Sequence, residues 1–298
     1  MSSRKISKIF VGILYIIIML YRKTSRLTKV FIGILSIIII FGVSYYFATI
    51  PKPTKPTVEK MSNMGDYVDV AYYINLDHRG DRNEQLLGEL AKIDFPVEKI
   101  ERIPATYLKE RGHLGASLSH IKTVETFLQS DYETCFIFED DFEFSQPPEE
   151  VKSTIQKLFE DKVDFDICML SANVYDEQPI PGYDYIQKIN SAATASGFIL
   201  TRNFAPILLE NLKEGAQKLE DSYNERTYIT NVSKIDPDRF NYDGQFALDH
   251  YWISIQSDNN WFIFNPKMGK QRDSYSDIME GNVAYNVYEF FLFVYRVL

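Results

Sequence analysis

Four acids in five residues, Glu139-Asp140-Asp141-Phe142-Glu143, follow directly on the short apolar run Cys135–Phe138. Carboxylates crowded this closely at the end of a buried strand repel one another unless a cation relieves them. Hard oxygen ligands suit Mg2+ or Mn2+, which bind through one or two carboxylates together with substrate phosphates. A site of that kind serves transfer from a nucleotide sugar, where the metal neutralises charge on the departing diphosphate. A solvated acidic turn is the alternative that these residues leave open.

The elements around the cluster must bring it to a ligand. Val68–Ile74 is apolar and rich in β-branched and aromatic residues, as a strand is. Arg82–Ile93 places Leu86, Leu90 and Ile93 on one helical face, and Val97–Ile103 alternates like a half-exposed strand. Gly115–Gln129 is expected as a helix with Leu118, Ile121, Glu125 and Leu128 stacked. Pro147-Pro148-Glu149-Glu150 opens another, with Val151, Ile155 and Leu158 inward. Phe165–Leu170, Gly197–Leu200 and Trp261–Phe264 read as strands and Phe204–Leu212 as a helix. Strands alternating with helices predict an α/β sheet covered on both faces. Ligands bind such sheets outside the carboxyl ends of the strands, where the acids lie. The polar, acidic stretch 220–244 is long for a connector and is expected as an acceptor-facing loop.

Charge is distributed unevenly over the 298 residues. The chain carries 32 basic and 41 acidic groups, but residues 1–50 hold seven Lys/Arg and no acid. The remainder has 25 basic against 41 acidic groups, a net charge of −16, which disfavours nucleic-acid partners. Between Lys29 and Lys52 lie 22 uncharged, mainly apolar residues, enough for Val30–Ile50 to span a bilayer core of ~30 Å. Tyr45, Tyr46 and Phe47 suit the interfacial belt. An earlier run, Ile9–Tyr21, is shorter and related: Lys8, Phe10, Gly12, Ile13 and Leu14 recur 21 positions later as Lys29, Phe31, Gly33, Ile34 and Leu35.

The positive-inside rule predicts a single-pass type II anchor with a cytosolic N-terminus and a luminal or extracytoplasmic body, within which the sequon Asn231-Val232-Ser233 would be usable. If both runs crossed as a hairpin, the body would stay cytosolic. The expected organisation is a basic tail with the short duplicated run (1–29), a signal-anchor (30–50), a Pro-rich linker (51–65) and a catalytic domain (66–298). Cys135 and Cys168 sit in apolar runs and read as buried strand residues, too few for a disulfide framework. No GxGxxG or P-loop pattern follows the first strand.

Six segments carry a resemblance. Tyr72–Arg82 reads YYINLDHRGDR, Gly112–His120 GHLGASLSH, Phe138–Phe142 FEDDF, Ala195–Arg202 ASGFILTR, Ala247–Trp252 ALDHYW and Gln271–Ile278 QRDSYSDI. In this order and spacing the chain resembles glycosyltransferase family 25, the lipooligosaccharide and procollagen galactosyltransferase-like enzymes, from about residue 68 to 278. The resemblance implies a GT-A-like nucleotide-sugar-binding fold, a UDP-sugar donor (often UDP-galactose) and inversion at the anomeric carbon. It thus implies a hexose moved, as galactose or glucose, to a glycan, lipid-linked glycan or protein hydroxyl, with Mn2+ or Mg2+ as cofactor. Ala116 departs from many members, which have Cys there.

Site roles follow from both sources. Asn75, Asp77, Arg79 and Arg82 come after the first strand, where a nucleotide-sugar enzyme holds base, ribose and diphosphate. The alternative for Arg79 and Arg82 is a solvated helix start pairing with Asp77 and Asp81. The resemblance places Ser117 and His120 in the donor pocket; a histidine packed within its helix is the other reading. Glu139 and Asp141 are the metal candidates, Asp141 first, with Asp140 beside the donor. Gln271, Ser276 and Asp277 match the closing motif and are donor candidates. An inverting transferase needs a base to deprotonate the acceptor hydroxyl, and Asp249 is the candidate, with Trp252 expected near enough to stack on a sugar; Asp249 pairing with a neighbouring cation is the alternative.

Two other classes stand beside this one. A non-catalytic glycan- or partner-binding ectodomain has the intact acidic cluster against it. A cation-dependent phosphoryl-transfer enzyme lacks a phosphate-cradling glycine loop.

Overall fold

The computed structural model describes residues 63–233, 244–276 and 281–283, with side chains described up to 225 and from 244 to 273. The chain divides into two compact units, Met1–Met61 and Ser62–Leu298, and all described residues belong to the second. The expected anchor at 30–50, the duplicated run and most of the linker lie outside the described residues. No helix among the described residues is long and apolar enough to cross a membrane.

The first half alternates as its apolar periodicity requires: β1 (Val70–Asn75), α1 (Gly80–Lys92), β2 (Ile100–Pro104), α2 (Gly112–Gln129), β3 (Thr134–Glu139), a short β4 (Phe142–Phe144) and α3 (Pro148–Glu160). Then come two long strands, β5 (Ile167–Ile180) and β6 (Tyr183–Thr201), the helix α4 (Ala205–Ser233) and the single turn α5 (Leu248–Tyr251). The strands β7 (Trp261–Phe264), β8 (Gly269–Gln271), β9 (Ser274–Ser276) and β10 (Gly281–Val283) follow. The main sheet is mixed, in the order β2-β1-β3-β6-β5-β7. β1 runs parallel to β2 and β3, β6 runs antiparallel to β3 and β5, and β7 runs parallel to β5.

Strand alternation sorts side chains to two faces. Cys135 and Ile137 of β3 join Leu114, Ile121, Val124 and Phe127 of α2 and Leu208, Leu212 and Leu219 of α4. Phe136 and Phe138 point the other way, into Leu86 and Leu90 of α1 and Val151, Ile155 and Leu158 of α3. The expected α/β sheet with helices on both faces is present, and both cysteines are buried and unpaired.

Several boundaries differ from the sequence reading. Leu118 is 37% exposed, so the inward stripe of α2 runs through Leu114, Ile121, Val124 and Phe127 rather than through Leu118. Of the acceptor-facing loop expected at 220–244, the part to Ser233 is helix, because the stripe Leu208, Leu212, Ala216, Leu219, Tyr223 continues at helical spacing, and 234–243 lie outside the described residues. Gly215 does not break it; the ring of Tyr251 lies 2.8 Å from where its Cβ would stand, so a glycine is what lets α5 close on α4. The strands read as 165–170 and 197–200 are the inner ends of a long hairpin. Its turn is Pro181-Gly182, with Gly182 at φ 91, the type II signature. Five register shifts along the hairpin curl it, so that β7 pairs with both β5 and β6.

Behind the acids, Phe142 is fully buried against two glycines. A Cβ on Gly269 would stand 2.3 Å from its ring, and one on Gly197 2.6 Å from it. Gly269→Ala should therefore lower stability by about 1–3 kcal/mol through overpacking. Gly88→Ala, on exposed helix with nothing within 4 Å, should raise it by about 1 kcal/mol. Urea unfolding of the two variants measures both, and equal shifts would mean that Phe142 moves aside freely.

Candidate functional site

The carboxyl ends of β1, β2 and β3 lie side by side, with Ile74 opposite Glu139 and Asn75 opposite Pro104. Continuing the alternation past Phe138 sends Glu139 towards α2 and Asp140 towards α1. Nε2 of His120 on α2 meets Oε1 of Glu139 at 3.1 Å, and the amide of Gln271 reaches Oε2 at 3.5 Å. The imidazole is buried and stacked on Phe198, ring centroids 6.3 Å apart. Asp140 is held on both oxygens: Arg82 Nη1 donates to Oδ1 at 2.7 Å and Asn75 Nδ2 to Oδ2 at 2.8 Å. Arg82 also reaches Asp141 Oδ2 at 3.4 Å. A guanidinium in the first turn of α1 faces the positive end of the helix dipole, so these carboxylates account for its place. Asn75 is itself oriented, its Oδ1 accepting from Arg102 Nε at 2.9 Å.

From the other side the C-terminal strands strap the turn down. The amide N–H of Arg272 donates to the Asp141 carbonyl at 2.7 Å, while its guanidinium meets Glu89 at 3.2 Å and Glu143 at 3.1 Å.

Two carboxylates thus share one guanidinium, with the charge of Glu139 close by. Burial raises Asp140, though Arg82 and Asn75 oppose the rise. Asp141 is pushed up to about 7 by burial and then by the charge of Glu139, with Arg82 pulling the other way. Its Oδ1 is buried and has no hydrogen-bond partner. An orphaned carboxylate oxygen beside surplus negative charge fits a hard divalent cation, with Asp141 and Glu139 as the residues that would hold it. No group of three or more His, Cys, Asp or Glu is gathered for a metal among the described residues, so the remaining ligands would come from substrate and water.

These groups line a cleft of about 120 Å³, open to solvent. It brings together Asn75, Arg82, His120, Glu139, Asp140, Asp141 and Gln271 of the expected site residues. Others lie off its lining. Asp77 pairs with Arg102 at 2.7 Å, and Arg79 forks onto Asp81, holding that carboxyl down at about 2. Ser117 is buried and bonds back to the His113 carbonyl of its own helix. Asp249 accepts the N–H of Thr194 at 3.0 Å, and Thr194 has φ 81. Thr194 lies three residues from Gly197, which pairs with Phe138, so Asp249 sits along the same edge of the sheet but outside the cleft. Trp252 is 1% exposed, packed on Phe198 and Trp261 with its indole N–H on the Ala192 carbonyl; buried like this, its ring does not offer the sugar platform expected of it. Ser276 belongs to β9, but its side chain and all of Asp277 lie outside the described residues.

The sequence reading missed the β2–α2 connection. Thr106, Tyr107 and Leu108 line the cleft, as does Ser119. Ser119 Oγ accepts the Thr106 N–H at 2.8 Å and donates to Gly115 O at 2.7 Å. Gly115 was the available signal, since a Cβ there would stand 2.5 Å from the Thr106 carbonyl.

No family model and no curated protein matches this chain. Among solved structures, it overlaps the crystal structure of A197 from STIV with TM-score 0.33 and 11% identity, over 65% of this chain and 80% of that one. A glycosyltransferase involved in glycosylation of the major capsid of PBCV-1 overlaps with TM-score 0.35 and 9% identity, over 71% and 96%. A structure described as mannose-1-phosphate geranyltransferase from Thermus thermophilus gives 0.38 and 8%, over 68% and 74%. Glycosyltransferases thus stand among the structural neighbours, at a likeness too low to carry an activity across. The resemblance to family 25 rests on its motifs alone.

A buried Asp141 whose folded pKa exceeds its unfolded one keeps a proton that the unfolded chain gives up. Stability in the presence of chelator should then fall as pH rises from the ordinary carboxylate range to about 7 and level off above. Asp141→Asn should remove that loss. Urea unfolding from pH 4 to 8 tests it, and parallel profiles for the two proteins would mean that Asp141 ionises like an exposed carboxylate.

Proposed function

We propose that this chain is a metal-dependent glycosyltransferase that moves a hexose from a UDP-sugar to a hydroxyl acceptor with inversion, in the manner of the family its motifs resemble. The observation that carries the reading is the unpartnered, buried Oδ1 of Asp141 in a cleft at the carboxyl ends of parallel strands. Asp141 and Glu139 would hold Mn2+ or Mg2+, which supplies neutralisation of the charge developing on the departing diphosphate.

The chain's own residues do the rest. Arg82 fixes Asp140 and steadies Asp141, so the turn keeps its shape while it carries excess negative charge. His120 and Gln271 orient Glu139 from opposite sides. Asn75 closes the end of β1 against Asp140 and fixes one wall of the donor cleft. Asp249 is our candidate base: Oδ2 is committed to the Thr194 N–H, which leaves Oδ1 to take the proton of an acceptor hydroxyl as the glycosidic bond forms. The acceptor class is a glycan, a lipid-linked glycan or a protein.

The apolar run 30–50 and its preceding basic residues support a type II anchor with this domain luminal or extracytoplasmic.

Titration of UDP in the presence of Mn2+ separates the two acids. Asp141→Asn should weaken metal-supported UDP binding, and donor hydrolysis and transfer should fall together. Asp249→Asn should leave UDP binding near wild type while transfer drops ~10²–10⁴-fold. Equal loss of nucleotide affinity in both would place Asp249 in the donor site. For topology, full-length protein made in a eukaryotic cell should resist protease added to intact microsomes; digestion in sealed vesicles would favour the hairpin.

A further inference from the structure

The cleft has two unlike ends. Glu139, Asp140 and Asp141 follow β3 at one, whereas Leu76 after β1 and Ala105, Tyr107 and Leu108 after β2 supply apolar surface on the side away from β3. Tyr107 stands out within that surface, 57% exposed on a loop that packs on the rest of the domain. Its ring meets His78 edge-on, with centroids 5.7 Å apart at 79°. His78 follows β1 and Tyr107 follows β2, adjacent parallel strands, so the pair joins neighbouring loops at the mouth of the cleft. The preceding residue is pinned, Thr106 N–H to Ser119 Oγ at 2.8 Å, and the absence of a side chain at Gly115 lets that backbone lie against α2. The aromatic is therefore presented by a fixed loop.

We infer that the apolar part of the cleft is a nucleobase slot and that Tyr107 is its stacking residue, a role no sequence motif assigned. The inference rests on the nucleotide-sugar reading. It follows from polarity: a nucleoside diphosphate has a flat, weakly hydrated base at one end and an anion at the other, and the cation site can hold only the anion. Every base has a π-face, so stacking on a tyrosine contributes affinity without choosing among bases. Contacts to the base edges make the choice.

The test measures binding of UDP, uridine and pyrophosphate to the full-length protein in Mn2+. Tyr107→Ala should weaken UDP and uridine roughly tenfold, the scale of one base–aromatic stack, and leave pyrophosphate unchanged. Tyr107→Phe should bind UDP like wild type. Tyr107→Trp adds a reporter, because Trp252 and Trp261 are both buried; uridine should quench its emission. UDP affinity undiminished in Tyr107→Ala would overturn the inference alone, as would an equal loss of pyrophosphate binding. Failure of wild type to bind any nucleotide would overturn the underlying reading and this inference with it.

Discussion

Negative charge crowded at the end of a buried strand is the constraint on which the rest of this domain turns. β3 is apolar on both sides for four residues, and its chain then delivers three carboxylates into a partly dry cleft. Desolvation pushes Asp140 and Asp141 towards neutrality. The fold answers by surrounding them with donors from separate elements: Arg82 from α1, Asn75 from β1, His120 from α2 and Gln271 from β8. One positive charge among four donors leaves the site short of compensation, and a cation is what the remaining oxygen accommodates. The same donors tie together elements distant in sequence, so the site and the packing of the sheet's carboxyl edge are one structure.

The turn that carries the acids is held from behind by an aromatic wedge. Phe142 packs 4.8 Å from Phe138 and 5.0 Å from Phe144, centroid to centroid, and lies against Gly197 of the sheet and Gly269 of β8. Arg272, two residues on from Lys270, bonds to both ends of this arrangement, through Asp141 O and the Glu143 carboxylate. Small residues are required wherever a ring must approach backbone, and here they set the height of the acidic turn above the sheet.

What could be read in advance followed local pattern. Cys135–Phe138 and Trp261–Phe264 are short apolar runs with no other use than buried strands, and α1 and α3 carry clean stripes. The acidic cluster was legible because its types and spacing demand an explanation wherever they stand. The outer half of the β5–β6 hairpin was not, because residues such as Glu177, Gln178 and Lys188 become strand only through the partner across the ladder. Helical spacing put Ser117 on the face of His120, yet Ser119 lines the cleft, since the path of the loop 105–108 decides which side of α2 is covered. The tie between Asp249 and Thr194 depends on a positive φ at a threonine, which no composition announces.

The hairpin has a consequence for the protein as a colloid and as a scaffold. Tyr175, Asp176, Glu177, Gln178 and Pro179 are all exposed along the outer part of β5, which pairs with β6. Two adjacent acids and a proline there discourage a second chain from adding to the ladder. At the tip, Gly182 has nothing within 4 Å of where a side chain would begin, and Pro181 fixes the bend without help from the core. Inserted sequence at this turn would meet solvent and leave the cleft's walls untouched. The tip is therefore free to diverge or to accept a graft.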